Sequence, residues 1–475
     1  MKRYRKVIIM AAVLLVACIA TFALTRYEEE QEQIRTSDEI IMQIPSENVL
    51  SVSWDYSGGG SLAFHKTDSG WIYQDDEAFP VSEEKVMDIL EHFESYGVTF
   101  VIENVTDYAQ YGLDEPEVTL HLATEKRSYD IKMGDFSKMD EQRYISIGDG
   151  NVYLVGEDPV DYVDSNLSTM ILHDDTPGFE KVVDITFAGA ENYTIVRTDE
   201  STNTYDPEDD IYFVERDGKT VPLNTPSVRT FLNTITSLDL LTYATYNATA
   251  EELATFGMDN PMLSVTVNYT YTNDDDETVS DTCVIHISEN PEERAAFDAN
   301  VAEGNTATAV TKYVRIGDSQ IIYTMDDTDF AILKAASYDD LRHKALFWGD
   351  FEIVKQIDIT LEGEDHSIVS KLEGEENAQE LVWYYGDTEL DITDVQSTLE
   401  ALSADSFTDE LPSKDEEIGI TLHLDNENFP TVEIRLYRYD GSLCLAVVDG
   451  DPVALVSRSS VMDLVEAVQA IVLNG

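Results

Sequence analysis

Apolar and polar residues alternate in short segments along the chain, and these segments recur three times in the same order. Residues 49–54, 182–187 and 357–361 each show the period-two alternation of a strand with one buried face. Each is followed by an aromatic-centred strand, a helix, a meander of further strands and a short closing helix. The pattern predicts an α+β fold of three tandem related units, each an antiparallel β-meander plus helix.

An amphipathic helix is predicted in each unit from apolar residues spaced three and four positions apart. Ser82 would cap the first helix, Thr225-Pro226 would begin the second, and Thr393 would cap the third. The predicted apolar faces are Val86, Ile89, Leu90 and Phe93 in the first helix, Val228, Phe231, Leu232 and Ile235 in the second, and Val395, Leu399 and Leu402 in the third.

A six-residue motif supports the repeat. It reads Tyr111-Gly112-Leu113-Asp114-Glu115-Pro116 in the first unit and Phe256-Gly257-Met258-Asp259-Asn260-Pro261 in the second. We interpret its glycine, aspartate and proline in both copies as a structural turn. The third unit has Leu411-Pro412 instead, and we interpret it as a degenerate terminal copy. The units are predicted to span 48–173, 174–350 with loop insertions, and 351–475.

The N-terminal residues predict a membrane anchor. Residues 7–24 carry no charge and would span roughly 27 Å as a helix, close to the thickness of a hydrocarbon core. Lys2, Arg3, Arg5 and Lys6 precede this segment, so the positive-inside rule places the N-terminus in the cytoplasm and the bulk outside the cell membrane. We assign 1–27 to the basic tip and single-pass transmembrane helix, and 28–47 to an acidic juxtamembrane spacer.

Two other interpretations of the N-terminus stay open. Leu15-Val16-Ala17-Cys18 fits a bacterial lipobox, which would make the protein a lipoprotein anchored at Cys18. The apolar segment continues beyond Cys18, whereas lipoproteins usually turn polar there, and this favours the uncleaved helix. A simple cleaved signal peptide is the third interpretation, although residues of a good cleavage site are missing.

The charge of the chain limits the classes of partner that it can bind. Acidic residues outnumber basic ones 94 to 30, for a net charge of −64. Such a surface repels phosphate backbones, so nucleic acid is excluded as a partner. High charge also keeps a protein soluble, while attraction of cations or basic proteins is the functional alternative. The acidic loops at 206–210 and 273–277 are interpreted as solvated turns, with weak calcium binding as the alternative because the spacing is not that of an EF-hand.

The residues that carry catalytic or metal chemistry form no recognisable set, so we assign no catalytic residue, cofactor or metal. Cys283 and Cys444 fall in apolar strand patterns and are predicted to be buried free thiols. His121 and His423 share the context Thr-Leu-His-Leu, at the place where the second unit has Thr266. We interpret all three as polar positions of half-exposed strands.

The loop within the meander differs most between the units. It spans residues 134–142 in the first unit and about 288–311 in the second, and it is a tight turn at Asp440-Gly441 in the third. Insertions at one equivalent position collect on one face of a repeat protein, and that face is often used for binding. Drift in a tolerant surface loop is the alternative interpretation.

The first unit resembles the bacterial domain-of-unknown-function family 4340. The resemblance lies in Tyr111-Gly-Leu-Asp-Glu-Pro116, Tyr129-Asp-Ile-Lys-Met-Gly134 and residues 144–155, and it weakens through the second and third units. It implies an exported, membrane-tethered protein, and in some members an auxiliary role beside ABC transporters of the gliding-motility type. The family brings no catalytic residues with it.

These observations lead to one main expectation and two alternatives. We expect a non-enzymatic, extracytoplasmic accessory or scaffold protein with protein partners in a membrane complex, an ABC-type transporter being the assembly suggested by the resemblance. The first alternative is a module that binds or senses a cell-envelope ligand or cation. The second is a hydrolase, which would require polar residues that converge in a pocket.

Overall fold

The computed structural model describes residues 10, 13–21, 39–103, 105, 107–139, 141–375 and 378–474. The chain divides into two compact units, one made of Met1–Asp174 with Thr245–Asn247, the other of Asp175–Ala244 with Ala248–Gly475. Much of the predicted anchor and spacer lies outside the described residues. Met10 and residues 13–21 are helical, but no helix in the described ranges is both long and apolar enough to cross a membrane.

The first compact unit holds an eight-stranded antiparallel sheet in the order β4-β3-β2-β7-β8-β9-β10-β6, and a two-stranded sheet of β1 and β5. Strand β1 lies in the segment predicted as a spacer. The bounds are β1 Glu39–Gln43, β2 Val49–Tyr56, β3 Ser61–Thr67, β4 Gly70–Tyr73, α1 Glu83–His92, β5 Ser95–Val98, β6 Phe100–Ile102, β7 Val118–Thr124, β8 Ser128–Ser137, β9 Gln142–Ser146 and β10 Val152–Val155.

The second compact unit holds two nine-stranded antiparallel sheets. The second sheet has the order β14-β13-β12-β11-β16-β17-β18-β19-β15. Its elements are β11 Lys181–Ala188, β12 Asn192–Arg197, β13 Tyr212–Arg216, β14 Lys219–Pro222, α2 Thr225–Thr236, β15 Tyr243–Thr245, α3 Ala250–Thr255, β16 Leu263–Thr272, β17 Thr278–Glu289, α4 Pro291–Ala302, β18 Lys312–Ile316, β19 Ile322–Met325, α5 Asp327–Lys334 and α6 Tyr338–Leu341.

The third sheet repeats this order as β23-β22-β21-β20-β25-β26-β27-β28-β24. Its elements are β20 Val354–Leu361, β21 Glu364–Glu375, β22 Ala378–Tyr385, β23 Thr388–Leu390, α7 Thr393–Glu400, β24 Ala404–Phe407, β25 Glu416–Leu424, β26 Thr431–Arg438, β27 Leu443–Val448, β28 Asp451–Ser457 and α8 Arg458–Asn474. The α+β class with large antiparallel sheets is therefore confirmed.

A β-bulge recurs at the same place in the three opening strands β2, β11 and β20. The pairing register shifts between Val49 and Ser51, between Val182 and Asp184, and between Val354 and Gln356. The extra residue lets two side chains three positions apart point into one core, which strict alternation would forbid. In β2, for example, both Val49 and Val52 are buried.

The predicted helix faces all lie in the core. Val86, Val228 and Val395 are buried with every other apolar residue named for these helices. Each large apolar side chain removed from water contributes about 1.5–3 kcal/mol. Ser82 caps α1 by accepting a hydrogen bond from the Lys85 amide, as predicted. The prediction for Thr393 is wrong, because Asp391 accepts the bond from its amide and Thr393 lies inside α7.

A buried histidine lies at the end of α1. The His92 ring stacks on Tyr162, with centroids 3.6 Å apart, and meets the edge of Tyr96. Within the described part of the chain, its Nε2 atom and the Tyr96 hydroxyl are buried without a hydrogen-bond partner. Burial lowers the pKa of His92, although Glu157 opposes this effect. The folded protein therefore holds His92 neutral at a pH where the unfolded chain binds a proton.

We predict that this histidine makes the first compact unit acid-sensitive. Stability rises with pH wherever the unfolded state binds more protons, so His92 destabilises the fold as the pH drops below about 6.5. Replacement His92→Phe keeps the ring stack and removes the titration. The melting temperature of His92→Phe minus that of the wild type should therefore be larger at pH 5.5 than at pH 7.5. His65→Phe, at a half-buried histidine of β3, is the control, and an equal trend in both variants would contradict the prediction.

Candidate functional site

The open face of the third sheet carries a polar cavity that Asp358 helps to line. Alternation along β20 buries Ile357 and Ile359 and sends Asp358 to the opposite face. Asp358 Oδ1 accepts hydrogen bonds from Ser367 Oγ and Gln356 Nε2, both at 2.7 Å. His423 Nε2 lies 2.7 Å from the other oxygen, Oδ2. We call Asp358, Ser367, Gln356 and His423 the Asp358 cluster.

The Asp358 cluster holds its aspartate ionised. Partial burial raises the pKa of Asp358, but the hydrogen bonds from Gln356, Ser367 and His423 outweigh burial, and the pKa is lowered overall. The cavity beside it has a volume of about 290 Å³, and Asp358 and Ser367 of the cluster line it together with Asp365, His366, Glu433 and Arg435. Both hydrogen-bond donors and hydrogen-bond acceptors line the cavity, as the binding of a hydroxyl-rich or amide-rich ligand requires.

The order of contacts in this cluster differs from that of a serine hydrolase. A serine nucleophile needs the imidazole beside its hydroxyl, with the carboxylate behind the imidazole. Here Asp358 lies between the two, and the Ser367 hydroxyl donates to the carboxylate. The geometry supports a hydrogen-bonded binding surface, with Asp358 holding its neighbours in place.

The other histidine of the shared motif occupies a different position. His121 lies opposite Ser53, as Thr266 lies opposite Thr186, so these two correspond as predicted. His423 lies opposite Gln356, which is the third-sheet equivalent of Ser51. Ser51 lies opposite Ala123, so His423 corresponds to Ala123, and the predicted match to His121 is wrong by two residues. His121 is half-exposed, with Nδ1 2.7 Å from Asp130 Oδ1 and Nε2 3.3 Å from Asp55 Oδ2.

A buried junction connects the second sheet to the chain that enters the third. Asp210 is 1% exposed, in the loop between β12 and β13. Its Oδ1 lies 2.8 Å from His343 Nε2, and its Oδ2 accepts hydrogen bonds from Trp348 Nε1 at 3.0 Å and Thr204 Oγ1 at 2.5 Å. The His343 and Trp348 rings stack with centroids 4.2 Å apart. We call Thr204, Tyr205, Asp210, His343 and Trp348 the Asp210 junction.

Apolar contacts of Tyr205 complete this junction. Tyr205 leaves the loop of the second sheet and belongs to the hydrophobic core of the third, where its ring stacks on Phe347 at 5.3 Å. Burial raises the pKa of its hydroxyl far above the ordinary value. The interpretation of residues 206–210 as solvated turns is therefore wrong for Asp210, because its buried carboxylate accepts hydrogen bonds from Thr204 and Trp348 and faces the His343 ring.

The predicted turn motif is a helix-ending Schellman motif in both units. The Leu113 amide donates to the Tyr108 carbonyl and the Gly112 amide to that of Ala109, and Met258 and Gly257 repeat this pattern with Leu253 and Ala254. Gly112 and Gly257 both have φ of +68°, a left-handed conformation that favours glycine. Asp114, Pro116, Asp259 and Pro261 follow in the loops that lead into β7 and β16.

Residues of the first compact unit that the sequence did not single out hold this turn in place. Arg143 is 5% exposed and donates to Asp158 through Nε at 2.5 Å and Nη2 at 2.8 Å. Its Nη1 donates to Glu117 and to the carbonyl of Gly134, both at 2.6 Å. Gly134 packs directly beneath the motif, so Arg143 ties the turn to β8 and β9.

The family model described as Domain of unknown function (DUF4340) matches residues 71–211 and 214–421, more than half of the chain. The chain belongs to the DUF4340 family. The Gly112 turn lies in the first matched segment and the Gly257 turn in the second, which fits a repeated domain. No curated protein and no solved structure matches the chain.

The three cysteines of this DUF4340 protein differ in their exposure to solvent. Cys283 and Cys444 are buried free thiols, as predicted, and burial raises the pKa of each to about 11. Cys18 is an exposed helical residue. Across the described ranges, no group of three or more histidine, cysteine, aspartate or glutamate side chains could hold a metal ion. Calcium binding at 273–277 stays a prediction.

The variable loops take three forms. In the first repeat most of residues 134–142 extend β8 and β9, and in the third Asp440-Gly441 makes a tight turn. In the second repeat the insertion folds as α4, which Asn290 caps by accepting hydrogen bonds from Glu292 and Glu293 amides. Arg294 on α4 binds the buried carboxylate of Glu289 through Nε at 2.7 Å and Nη2 at 2.5 Å. The insertion is thus an ordered, mostly exposed helix.

We predict that the Asp210 junction is a main source of stability in the second compact unit. Asp210→Ala would leave His343, Trp348 and Thr204 buried without their acceptor, at a cost of about 3 kcal/mol. The urea midpoint, followed by tryptophan fluorescence, should fall accordingly. Asp209→Ala, at an exposed position of the same loop, is the matched control. Equal midpoints for the two variants would refute this role.

We also predict that Gly134 tolerates no side chain. A Cβ there would lie 2.2 Å from the Tyr111 carbonyl oxygen and 2.9 Å from Leu113 Cγ. Gly134→Ala must therefore displace the turn, and we expect a loss of about 2 kcal/mol in unfolding free energy. Gly58→Ala serves as the control, since no atom of the described residues lies within 4 Å of a Cβ placed there. Calorimetry would settle the matter, and a Gly134→Ala protein as stable as the control would contradict it.

Proposed function

We propose that this protein is a non-enzymatic accessory or scaffold protein on the outer side of a bacterial membrane, working in an ABC-type transporter assembly. The Asp210 junction supports this proposal most directly. It joins two nine-stranded sheets of one compact unit through buried hydrogen bonds, so that the sheets keep a fixed mutual position. A scaffold needs such a fixed framework because its partners engage separate surfaces at the same time.

We propose further that residues 7–24 anchor the protein as a single-pass helix, with the N-terminus in the cytoplasm. Met10, Leu14 and Ile19 expose 74%, 69% and 61% of their surface. Clustered apolar side chains of this kind need a non-aqueous surrounding, which supports a membrane. Lipidation at Cys18 is the alternative anchor. Mass spectrometry distinguishes the two, because lipidation would remove residues 1–17 and leave a modified Cys18 as the first residue.

Charge supports a protein partner with a basic surface. The chain has 94 acidic residues against 30 basic ones, and complementary charge raises the rate and specificity of association more than its affinity. Exposed ion pairs weaken in salt because the Debye length falls to about 8 Å at physiological ionic strength. The assembly should therefore form less readily as salt is raised.

The test is mild crosslinking in the native membrane, followed by purification of the full chain. We expect transporter subunits to be recovered with it, and we expect less recovery at high salt. Asp210→Ala, which loosens the junction, should recover less partner than Asp209→Ala. The proposal fails if the chain is recovered alone, or if deletion of the residues after 28 leaves the assembly and transport activity of the transporter unchanged.

A second function, the binding of a cell-envelope ligand or cation, is favoured by the Asp358 cluster. Its cavity places the ionised Asp358 carboxylate, the Ser367 hydroxyl group and the His366 imidazole within reach of one ligand. Thermal-shift measurements with cell-wall fragments and divalent ions test it. A ligand should raise the melting temperature of the wild type but raise that of Ser367→Ala less, and a flat screen would count against this function.

A further inference from the structure

A second cleft opens beside the second sheet, remote in sequence from the Asp358 cluster. It has a volume of about 610 Å³ and lies among β11, the end of β12, the start of β13 and helix α2. Val182, Ile211 and Leu232 give it an apolar floor, since each is buried. Phe179 forms a wall, fixed by an edge contact with Tyr269 at 5.2 Å. The cleft is large enough for a small organic molecule.

Two arginines line this cleft with unused hydrogen-bond donors. Arg197 donates through Nε to Asp199 at 2.8 Å, and its two Nη nitrogens have no hydrogen-bond partner among the described residues. Arg229, exposed on the second turn of α2, makes no ion pair or hydrogen bond within the described part of the chain. A guanidinium presents a planar fork of donors that matches an oxyanion.

Arg197, Arg229 and Tyr212 line the same cleft. Burial raises the pKa of the Tyr212 hydroxyl, and both Arg197 and Arg229 oppose that rise through their positive charge. The carboxylate that also lines the cleft, Glu180, accepts hydrogen bonds from the Thr272 amide at 2.7 Å and from its hydroxyl at 3.3 Å. Asp199 is shared between Arg197 and Lys181. Among the described residues, neither of these carboxylates forms an ion pair with Arg229.

We propose that this cleft binds a small molecule with one oxyanion group, a carboxylate or a phosphate, attached to an apolar body. The oxyanion would bind the fork of Arg229 and the Nη atoms of Arg197. The apolar body would lie on Val182, Ile211 and Leu232, against Phe179. This site is separate from the scaffold role, and neither depends on the other.

The arginine pair belongs to the second repeat alone. Val86, Val228 and Val395 are the first buried valines of α1, α2 and α7, and the residue after each is Met87, Arg229 and Gln396. The strand register likewise places Lys66 and Ser370 where the second sheet has Arg197. A repeat that kept only its structural residues would have no need of two guanidinium groups here, so the pair points to a copy-specific ligand.

Ligand-observed NMR titration of the purified full chain in detergent tests the site with defined probes. Benzoate and phenyl phosphate carry the two oxyanions on one apolar body, and benzyl alcohol is the neutral control. We expect dissociation constants on the order of 1 mM for at least one anion, and no saturable binding of the alcohol. Arg229→Gln should weaken anion binding at least tenfold. Arg438→Gln, which removes an exposed arginine of the third sheet, should not change it.

The two anionic probes distinguish a carboxylate ligand from a phosphate ligand. Binding of benzoate alone assigns a carboxylate ligand, and binding of phenyl phosphate alone assigns a phosphate ligand. The proposal is overturned if neither anion binds, if benzyl alcohol binds equally well, or if Arg229→Gln and Arg438→Gln have the same effect. Arg229 is exposed, so an unchanged melting temperature of its variant would establish that the fold is intact. A negative result in this titration would not change the expected recovery of transporter subunits by crosslinking.

Discussion

The fold depends on one constraint, which is that each opening strand must pair on both sides while keeping one face in the core. Strands β2, β11 and β20 meet a hairpin partner on one side and the first meander strand on the other. The stretch of each strand after its bulge is paired on both sides, and a polar side chain turned to the core would have no partner. The recurrent bulge satisfies this constraint at the point where Val49, Val182 and Val354 enter the core.

The Asp210 junction shows how a buried charge can serve this fold. A carboxylate removed from water is costly unless several donors replace its hydration. Asp210 receives a hydroxyl and an indole donor and faces an imidazole nitrogen. These groups come from two separate stretches of chain, so the carboxylate is satisfied only when the loop after β12 and the segment before β20 are both in place. The charge therefore selects one arrangement of the two sheets.

Sequence pattern predicted the repeated sheets and helix faces because local periodicity dictates them. Val86, Phe231 and Leu399 could be assigned to the core from spacing alone. The Schellman turns at Gly112 and Gly257 were also visible, since a left-handed position favours glycine.

The role of Asp210 could not be predicted, because in the sequence it is the last of several acids in a polar loop, and only tertiary contact distinguishes it from exposed Asp209. Arg143 and His343 escaped notice for the same reason. The register of His423 was missed because a shift of two residues keeps every side chain of a strand on the same face, so the shared Thr-Leu-His-Leu context does not fix which residue lies opposite.

The three repeats differ mainly on the face that the core does not constrain. Ser51 and Ala123 face each other in the first sheet, Asp184 and Asn268 in the second, and Gln356 and His423 in the third. The core positions beside them stay apolar throughout, because any change there would open a cavity or bury a polar group. Open-face positions are free of that penalty and can acquire separate chemistry in each repeat.

The Asp358 cluster exists only where the third repeat supplies Gln356, Ser367 and His423 together, and the arginine cleft exists only where the second repeat supplies Arg229. Any ligand chemistry of this protein is thus a property of individual repeats, while the shared framework accounts for the family resemblance.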